Sequence, residues 1–159
     1  MKKKMLTLCV TVKDRKVLLG MKKRGFGMGR WNGFGGKVES GETLEEAAQR
    51  EMFEECGVRV ERMERVGVHE FVFEANPDEV MIVSIFRVDD FSGTPEETEE
   101  MKPRWFDIDR IPYEDMWPDD IFWFPLFLQG KKFYGAFRFG KGDAILSQEL
   151  KEVDMLPSF

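Results

Sequence analysis

A chain of 159 residues, 42% hydrophobic and 34% charged, can fill one soluble core and has little left over for a second. Thirty acidic against 24 basic residues leave a net charge of −6, which argues against a nucleic-acid polymer as the natural partner, because a polyanion calls for a basic face. The same charge repels a phosphate substrate unless a cation mediates.

The opening Met1-Lys2-Lys3-Lys4 imitates the start of a signal peptide. The apolar residues that follow (Leu6, Leu8, Val10, Val12) alternate, however, and run into Lys13-Asp14-Arg15 without a small-residue cleavage site. That pattern predicts a strand over Leu6–Val12 and a second over Val17–Met21. Gly25, Gly27, Gly29, Gly33, Gly35 and Gly36 then mark a loop or broken extended chain where backbone approaches something closely. A helix is predicted over Thr43–Cys56, opened by a capping box of Thr43 and Glu46 and stopped by Gly57. Strands follow at Arg65–Phe73 and Val80–Val88, separated by a turn at Asn76-Pro77-Asp78. An acidic loop, Ser92–Glu100, leads to a short strand at Arg104–Ile108. A second helix over Asp119–Leu128, entered through Trp117-Pro118, is expected to kink or end early at Pro125. Two last strands, Lys132–Phe139 and Ala144–Val153, flank the turn Gly140–Asp143.

Strands and helices interspersed in this way predict an α/β domain with a mixed sheet and helices packed on it. No repeat, linker or low-complexity run divides residues 1–159, so one domain is expected. No stretch has the length needed to span a membrane. Cys9 and Cys56 match no metal or redox spacing and read as structural thiols of a reducing compartment.

The register of the first helix carries chemistry. Leu44, Ala48, Glu51 and Glu55 form one stripe, flanked by Ala47 and Met52, with Glu51 and Glu55 within roughly 20° of Leu44 around the axis. A helix built only for packing would carry Leu or Val at 51 and 55, because inward carboxylates are costly unless paired or bound to metal. Glu51, Glu54 and Glu55 offer hard oxygen donors within about one turn, a set that suits Mg²⁺ or Mn²⁺ together with substrate phosphates. Glu45 and Glu46 read as ordinary solvated acids.

Gly33-Phe34-Gly35-Gly36-Lys37 stands immediately before this helix, and its backbone is free to serve phosphate and metal. It is not a Walker A loop, because Gly36-Lys37-Val38 lacks the hydroxyl. The run Gly25–Gly29 lacks the acidic strand end of a dinucleotide fold. From Gly36 to Val58 the segment reads GKVESGETLEEAAQREMFEECGV. This stretch resembles the signature box of the Nudix hydrolases at every fixed position: Gly36, Glu42, Arg50, Glu51, Met52, Glu54, Glu55, Gly57 and Val58. Beyond the box, VLLGMKKRGFG, GRWNGFGGKV and MWPDD resemble the animal MutT-homologue branch, the oxidised purine nucleoside triphosphatases, from about Leu6 to Asp154.

That resemblance implies an α/β/α sandwich in which the box forms a loop–helix–loop. It implies hydrolysis of damaged purine nucleoside triphosphates, such as 8-oxo-dGTP, 2-hydroxy-dATP and methylated relatives, to monophosphate and pyrophosphate, keeping mutagenic nucleotides out of DNA. Metal ligands carry over to the Gly35 carbonyl, Glu51, Glu54, Glu55 and the distant Glu100, with Mg²⁺ as cofactor and Mn²⁺ as substitute. One of these glutamates would take the proton of the attacking water, while Glu42 and Arg50 would brace the helix. Thr7, Phe26, Asn32, Phe71, Phe73, Met81, Met101 and Trp123 match the pocket wall, and Lys22, Phe34, Gly36 and Lys37 are expected at the ligand. For Phe71, Phe73 and Trp123, core packing remains the competing explanation. A monomer is the default expectation; the absence of targeting signals favours the cytoplasm, the resemblance adds the mitochondrial matrix and nucleus, and no membrane partner is expected. One extra residue near Glu74–Asp78 and a short tail, Leu156–Phe159, depart from the family pattern.

Trp117-Pro118-Asp119-Asp120 is either a helix entry capped by an Asp or a base-reading cluster, with Trp117 stacking on a purine. The resemblance favours the second, with Asp119 and Asp120 sharing a proton at the purine edge. His69, on a strand, is not expected to be catalytic. Two other functions stay open: a Nudix pyrophosphatase for ADP-ribose, a dinucleotide or a cap, and a nucleotide-binding module without turnover.

Overall fold

Alternation of apolar and polar residues puts about half of the chain into strands, and the computed structural model describes all of residues 1–159. In chain order the elements are β1 (Lys2–Lys13), β2 (Lys16–Lys22), β3 (Trp31–Asn32), β4 (Phe34–Lys37), α1 (Leu44–Cys56), β5 (Arg59–Phe73), β6 (Asn76–Ser92), β7 (Met101–Asp107), α2 (Asp120–Leu128), β8 (Phe133–Phe139) and β9 (Ile145–Glu152). All nine strands join one mixed sheet in the order β3-β2-β1-β6-β5-β8-β9, with β4 on β1 and β7 on β2. β1 runs parallel to β6, and β5 parallel to β8.

The faces follow the two-residue period of the strands. Cys9, Leu18, Phe86 and Val88 pack on Ala48, Met52 and Cys56 of α1. Their neighbours Val10, Val17, Leu19 and Ile85 pack instead with Trp123, Phe124 and Phe127 of α2. Each helix therefore covers one face, the expected sandwich. Cys9 and Cys56 are free and buried on the α1 side.

Where structure and sequence differ, the cause is pairing between segments distant in the chain. The glycine-rich loop contains two short strands. β4 lies antiparallel on β1 with Thr7 opposite Gly36 and Leu8 opposite Gly35. Gly35 makes that approach possible, because a Cβ there would stand 1.8 Å from the Thr7 carbonyl oxygen. β1, β5, β6 and β7 all reach beyond their predicted ends. Polar stretches such as Arg59–Glu64 carry no apolar alternation, yet their backbone pairs with β6 through bulges near Val60–Met63.

The predicted turn at Asn76-Pro77-Asp78 is corrected to Glu74-Ala75, which joins Phe73 to Asn76 as a two-residue hairpin. Pro77 fits inside β6 because it falls in a register irregularity and lies before Glu79, where pairing with β1 begins. Pro125 does not end the helix early. α2 runs on to Leu128, seated by the buried Trp123, Phe124 and Phe127, at the cost of one backbone bond.

Candidate active site

The loop before α1 and the helix itself set out the acidic end of the site. Thr43 accepts from the Glu46 N–H while the Glu46 side chain accepts from the Thr43 N–H, so the capping box fixes the start of the helix. Gly57, left-handed at φ 75°, closes it. Arg50 then ties the loop down, donating to Glu42 at 2.6 and 2.9 Å and to the Lys37 carbonyl at 3.1 Å. These bonds hold the Glu42 carboxyl down at about 2, with the neighbouring Glu39 N–H helping. Glu42 and Arg50 are thus the brace the sequence implied.

The stripe on α1 points inward as its register requires. Glu55 is 4% exposed, and its Oε1 accepts from the Gly35 N–H at 2.8 Å. Burial pushes its carboxyl up to about 7, against the opposing pull of that bond and of Lys22. Glu51 is half-buried beside Arg50 at 2.9 Å, and burial likewise raises it. Its carboxylate fills the space that a Cβ on Gly36 would take, 2.6 Å from that point. Glu54 stands further out, with its side chain 56% exposed, and meets Arg50 at 3.3 Å.

Glu100 arrives from the acidic loop, which α1 itself positions. The Thr98 hydroxyl donates to the Glu55 carbonyl at 2.9 Å, and the Glu96 N–H donates to the Cys56 carbonyl. The Glu100 and Met101 N–H groups both donate back to the Thr98 hydroxyl. Arg24, bonded to Glu100 at 2.7 Å, keeps that carboxyl below its ordinary range. Lys22 bridges the two regions, its Nζ 3.8 Å from Glu55 and 3.6 Å from Glu100.

A cavity of about 650 Å³ opens from this acidic end. Gly35, Gly36, Lys37, Glu55 and Lys22 line it on one side, with Thr7, Asn32 and Met101 beside them. Its far end is aromatic and lies against α2: Phe71 and Phe73 of β5, Met81 of β6, Trp117, Trp123 and Phe139, with Phe26 from the glycine loop. Phe26 leans on Trp117 with ring centres 5.1 Å apart and is itself 63% exposed, as a residue at a cavity mouth is. The guanidinium of Arg30 lies over the Trp117 ring at 4.2 Å and is held by Asp143 at 2.8 Å.

Two carboxyls face each other at the cavity's deep end. Asp119 and Asp120 are 2% and 3% exposed, and the Trp123 Nε1–H donates to both, at 2.9 and 3.1 Å. Asp119 occupies the N-cap position of α2 without a side-chain capping bond, so the helix-entry explanation is not how this pair is used. Burial pushes Asp119 up to about 6, and burial beside Asp119 raises Asp120 well above its ordinary value. Two buried neighbours of this kind are costly to ionise together.

The remaining sequence-derived positions fall outside the cavity lining. Phe34 is fully buried in the α1-side core, so only its backbone belongs to the site loop. Pro118, Glu51, Glu54 and Glu100 do not line the cavity either. Four features escaped the sequence: Phe139, Thr98, the Arg30–Asp143 pair and His69 as a lining residue. The period-two run Phe133, Phe137, Phe139 was the available signal for the first; the others depend on contacts between distant segments.

Oxygen-only donors at Glu51, Glu55 and Glu100, with Glu55 buried and repelled by the other two, suit a hard divalent cation. In this arrangement their positive partners are Lys22, Arg24 and Arg50, and no three of these acids converge on one point. The donor chemistry fits a cation; the side chains would turn from those partners to hold it.

A looped helix presenting acids to a purine-sized cavity defines a class, and the chain belongs to the NUDIX family, whose domain matches residues 3–127. NUDIX hydrolases work with a divalent metal. Its similarity to particular relatives is high. It is 55% identical to the oxidized purine nucleoside triphosphate hydrolase of Mus musculus over 151 residues, which cover 95% of this chain and 96% of that one. It is 54% identical to the protein of the same name from Danio rerio, covering 96% and 97%. Among solved structures, a mutator MutT protein from Bacillus halodurans superimposes with a TM-score of 0.83 at 28% identity, covering 92% of this chain and 97% of that one.

Proposed function

We propose that this chain hydrolyses oxidised purine nucleoside triphosphates, with 8-oxo-dGTP and 2-hydroxy-dATP as type substrates and methylated purines as relatives, to the monophosphate and pyrophosphate. The observation that carries this reading is a single cavity lined both by the buried acidic pair Asp119 and Asp120 and by the inward Glu55 of α1. Similarity to two enzymes named for this activity supports it.

Each end has its own task. Trp117 supplies a flat platform for the base, backed by Arg30. Asp119 and Asp120 present one protonated and one ionised carboxyl, so the pair both donates to and accepts from a base edge. Moving that proton between them lets one pocket take purines with different edge patterns. At the other end, Gly35, Gly36 and Lys37 meet the phosphates. Mg²⁺, or Mn²⁺ in its place, would be held by the Gly35 carbonyl, Glu51, Glu54, Glu55 and Glu100. The ion supplies charge neutralisation on the phosphates and acidifies water. Water adds to phosphorus, one oxygen–phosphorus bond of the α–β bridge breaks, and pyrophosphate leaves. A glutamate not fully engaged by metal takes the water's proton. The protein acts on free nucleotides as a monomer, in the cytoplasm and also the mitochondrial matrix and nucleus.

Pyrophosphate release from 8-oxo-dGTP, 2-hydroxy-dATP and dGTP, with AMP formation from ADP-ribose measured alongside, tests the proposal. Oxidised triphosphates should be turned over fastest; turnover of ADP-ribose alone would overturn the substrate assignment, and no turnover of any would leave a binding module.

A further inference from the structure

The chain's only histidine lies where a packing residue would be expected to be apolar. His69 is 0% exposed and lines the cavity, on the same face of β5 as Phe71 and Phe73. Trp123, Phe133, Phe137 and Phe71 enclose its ring at centre distances of 5.0, 5.4, 5.4 and 5.5 Å. Opposite it on β8 stands Gly135, where a Cβ would come within 2.9 Å of the imidazole carbon Cδ2. Neither ring nitrogen has a hydrogen-bond partner. Burial keeps the ring neutral, so one nitrogen carries a proton and the other is a bare acceptor. Aromatic edges and faces can serve the N–H weakly, but they offer nothing to the bare nitrogen. Leaving it unmatched is unfavourable, and a buried group of this kind calls for a partner that comes and goes.

Its surroundings say where that partner comes from. The Thr7 hydroxyl and Asp120 Oδ2 are also buried without partners, and both residues line this same cavity. Trp123, which meets the imidazole edge to face, is the ring that holds Asp119 and Asp120. We propose that His69 is a further specificity-determining residue, whose bare ring nitrogen accepts a hydrogen bond from an amino group on the base at the cavity floor. This deepens the purine-triphosphatase reading and rests on it: the chain prefers purines that carry an exocyclic amino group over those, such as hypoxanthine derivatives, that lack one.

Because His69 is the only histidine, its ring nitrogens can be labelled with ¹⁵N and observed without ambiguity in the unaltered protein. Saturation with 8-oxo-dGMP, with binding confirmed by tryptophan fluorescence, should move one ring-nitrogen signal strongly, and the 8-oxo-deoxyinosine monophosphate should leave it in place. In kinetics, His69→Leu should reduce the preference for 8-oxo-dGTP over 8-oxo-deoxyinosine triphosphate about tenfold, the worth of one neutral hydrogen bond. The change should lie in KM with kcat held, and His69→Gln should restore part of it. Ring signals unmoved by saturating 8-oxo-dGMP, or a preference unchanged in a folded His69→Leu chain, would overturn the assignment. If His69→Leu does not fold, the nitrogen signals of the unaltered protein decide alone. A wild-type chain that leaves 8-oxo-dGTP intact would end the functional reading first, whereas turnover with silent ring signals would end only this one.

Discussion

Gly36→Ala separates the chemistry of the site from its stability more sharply than any change to an acid. A methyl group at 36 would meet the Glu51 Cδ at 2.6 Å and its two oxygens at 2.7 and 2.8 Å, whereas ordinary contact begins at 3.4 Å. From 2.6 to 3.4 Å, the carboxylate must retreat by about 0.8 Å. The atoms in the way are the far end of a flexible side chain, so the fold loses at most about 1 kcal/mol, the centre of the range for point substitutions. Turnover suffers far more, because a displacement near 1 Å in a reacting constellation costs about a hundredfold. Steady-state pyrophosphate release and a thermal melt should therefore show kcat lowered by about two orders of magnitude in a chain that melts within a few degrees of wild type. Gly35→Ala is the contrasting control. Its methyl would lie 1.8 Å from the Thr7 carbonyl oxygen, in backbone that cannot move aside, and the β1–β4 pairing should be lost. A Gly36→Ala chain with wild-type turnover would refute the placement of Glu51 at the reacting centre.

Asp119→Asn and Asp120→Asn should each reorder the ranking of 8-oxo-dGTP against 2-hydroxy-dATP, because either change removes the movable proton; an unchanged ranking in both would end the proton-sharing account. Arg30→Ala should raise KM about threefold to fivefold with kcat held, the loss of a partly exposed cation–π contact behind Trp117, and Arg30→Lys should fall between. Acid stability offers a fourth check through His69. The unfolded chain protonates this ring near 6.5 and the folded chain only near 3, so its contribution is intact above pH 6.5 and falls by about 1.4 kcal/mol per pH unit below. Asp119 and Asp120, raised by burial, titrate in the opposite sense. The readout is therefore the difference between wild-type and His69→Leu urea midpoints across pH 4 to 7, and a flat difference would show that the ring takes up its proton in the folded state.

What the sequence made legible was local. Thr43, Glu46 and Gly57 specify α1 within its own residues, and the stripe of Glu51 and Glu55 follows from 3.6 residues per turn. The Arg50–Glu42 brace sits inside one continuous motif. Asp119 and Asp120 are adjacent, so their mutual influence needed no fold to foresee, although Trp123 as their shared donor did. Pairings between distant segments stayed hidden. Gly35 reads as loop until Thr7 is known to lie beside it, and Arg59–Glu64 reads as polar coil until β6 supplies its partner. Thr98 is an ordinary hydroxyl until the Glu55 carbonyl comes within reach, and Arg30 acquires a role only when Asp143 arrives from the far end of the chain. His69 had no sequence signal as a lining residue, since a lone histidine on a strand most often packs in a core.

Glu55→Gln addresses the account at its centre, because it keeps the side chain's shape and its bond from the Gly35 N–H while removing the charge and the basic oxygen. Pyrophosphate release from 8-oxo-dGTP, titrated with Mg²⁺ in wild type and variant, is the measurement. A fall of about a hundredfold or more, with the requirement for Mg²⁺ shifted to higher concentration, is the result predicted. Full turnover at the wild-type Mg²⁺ requirement would contradict it.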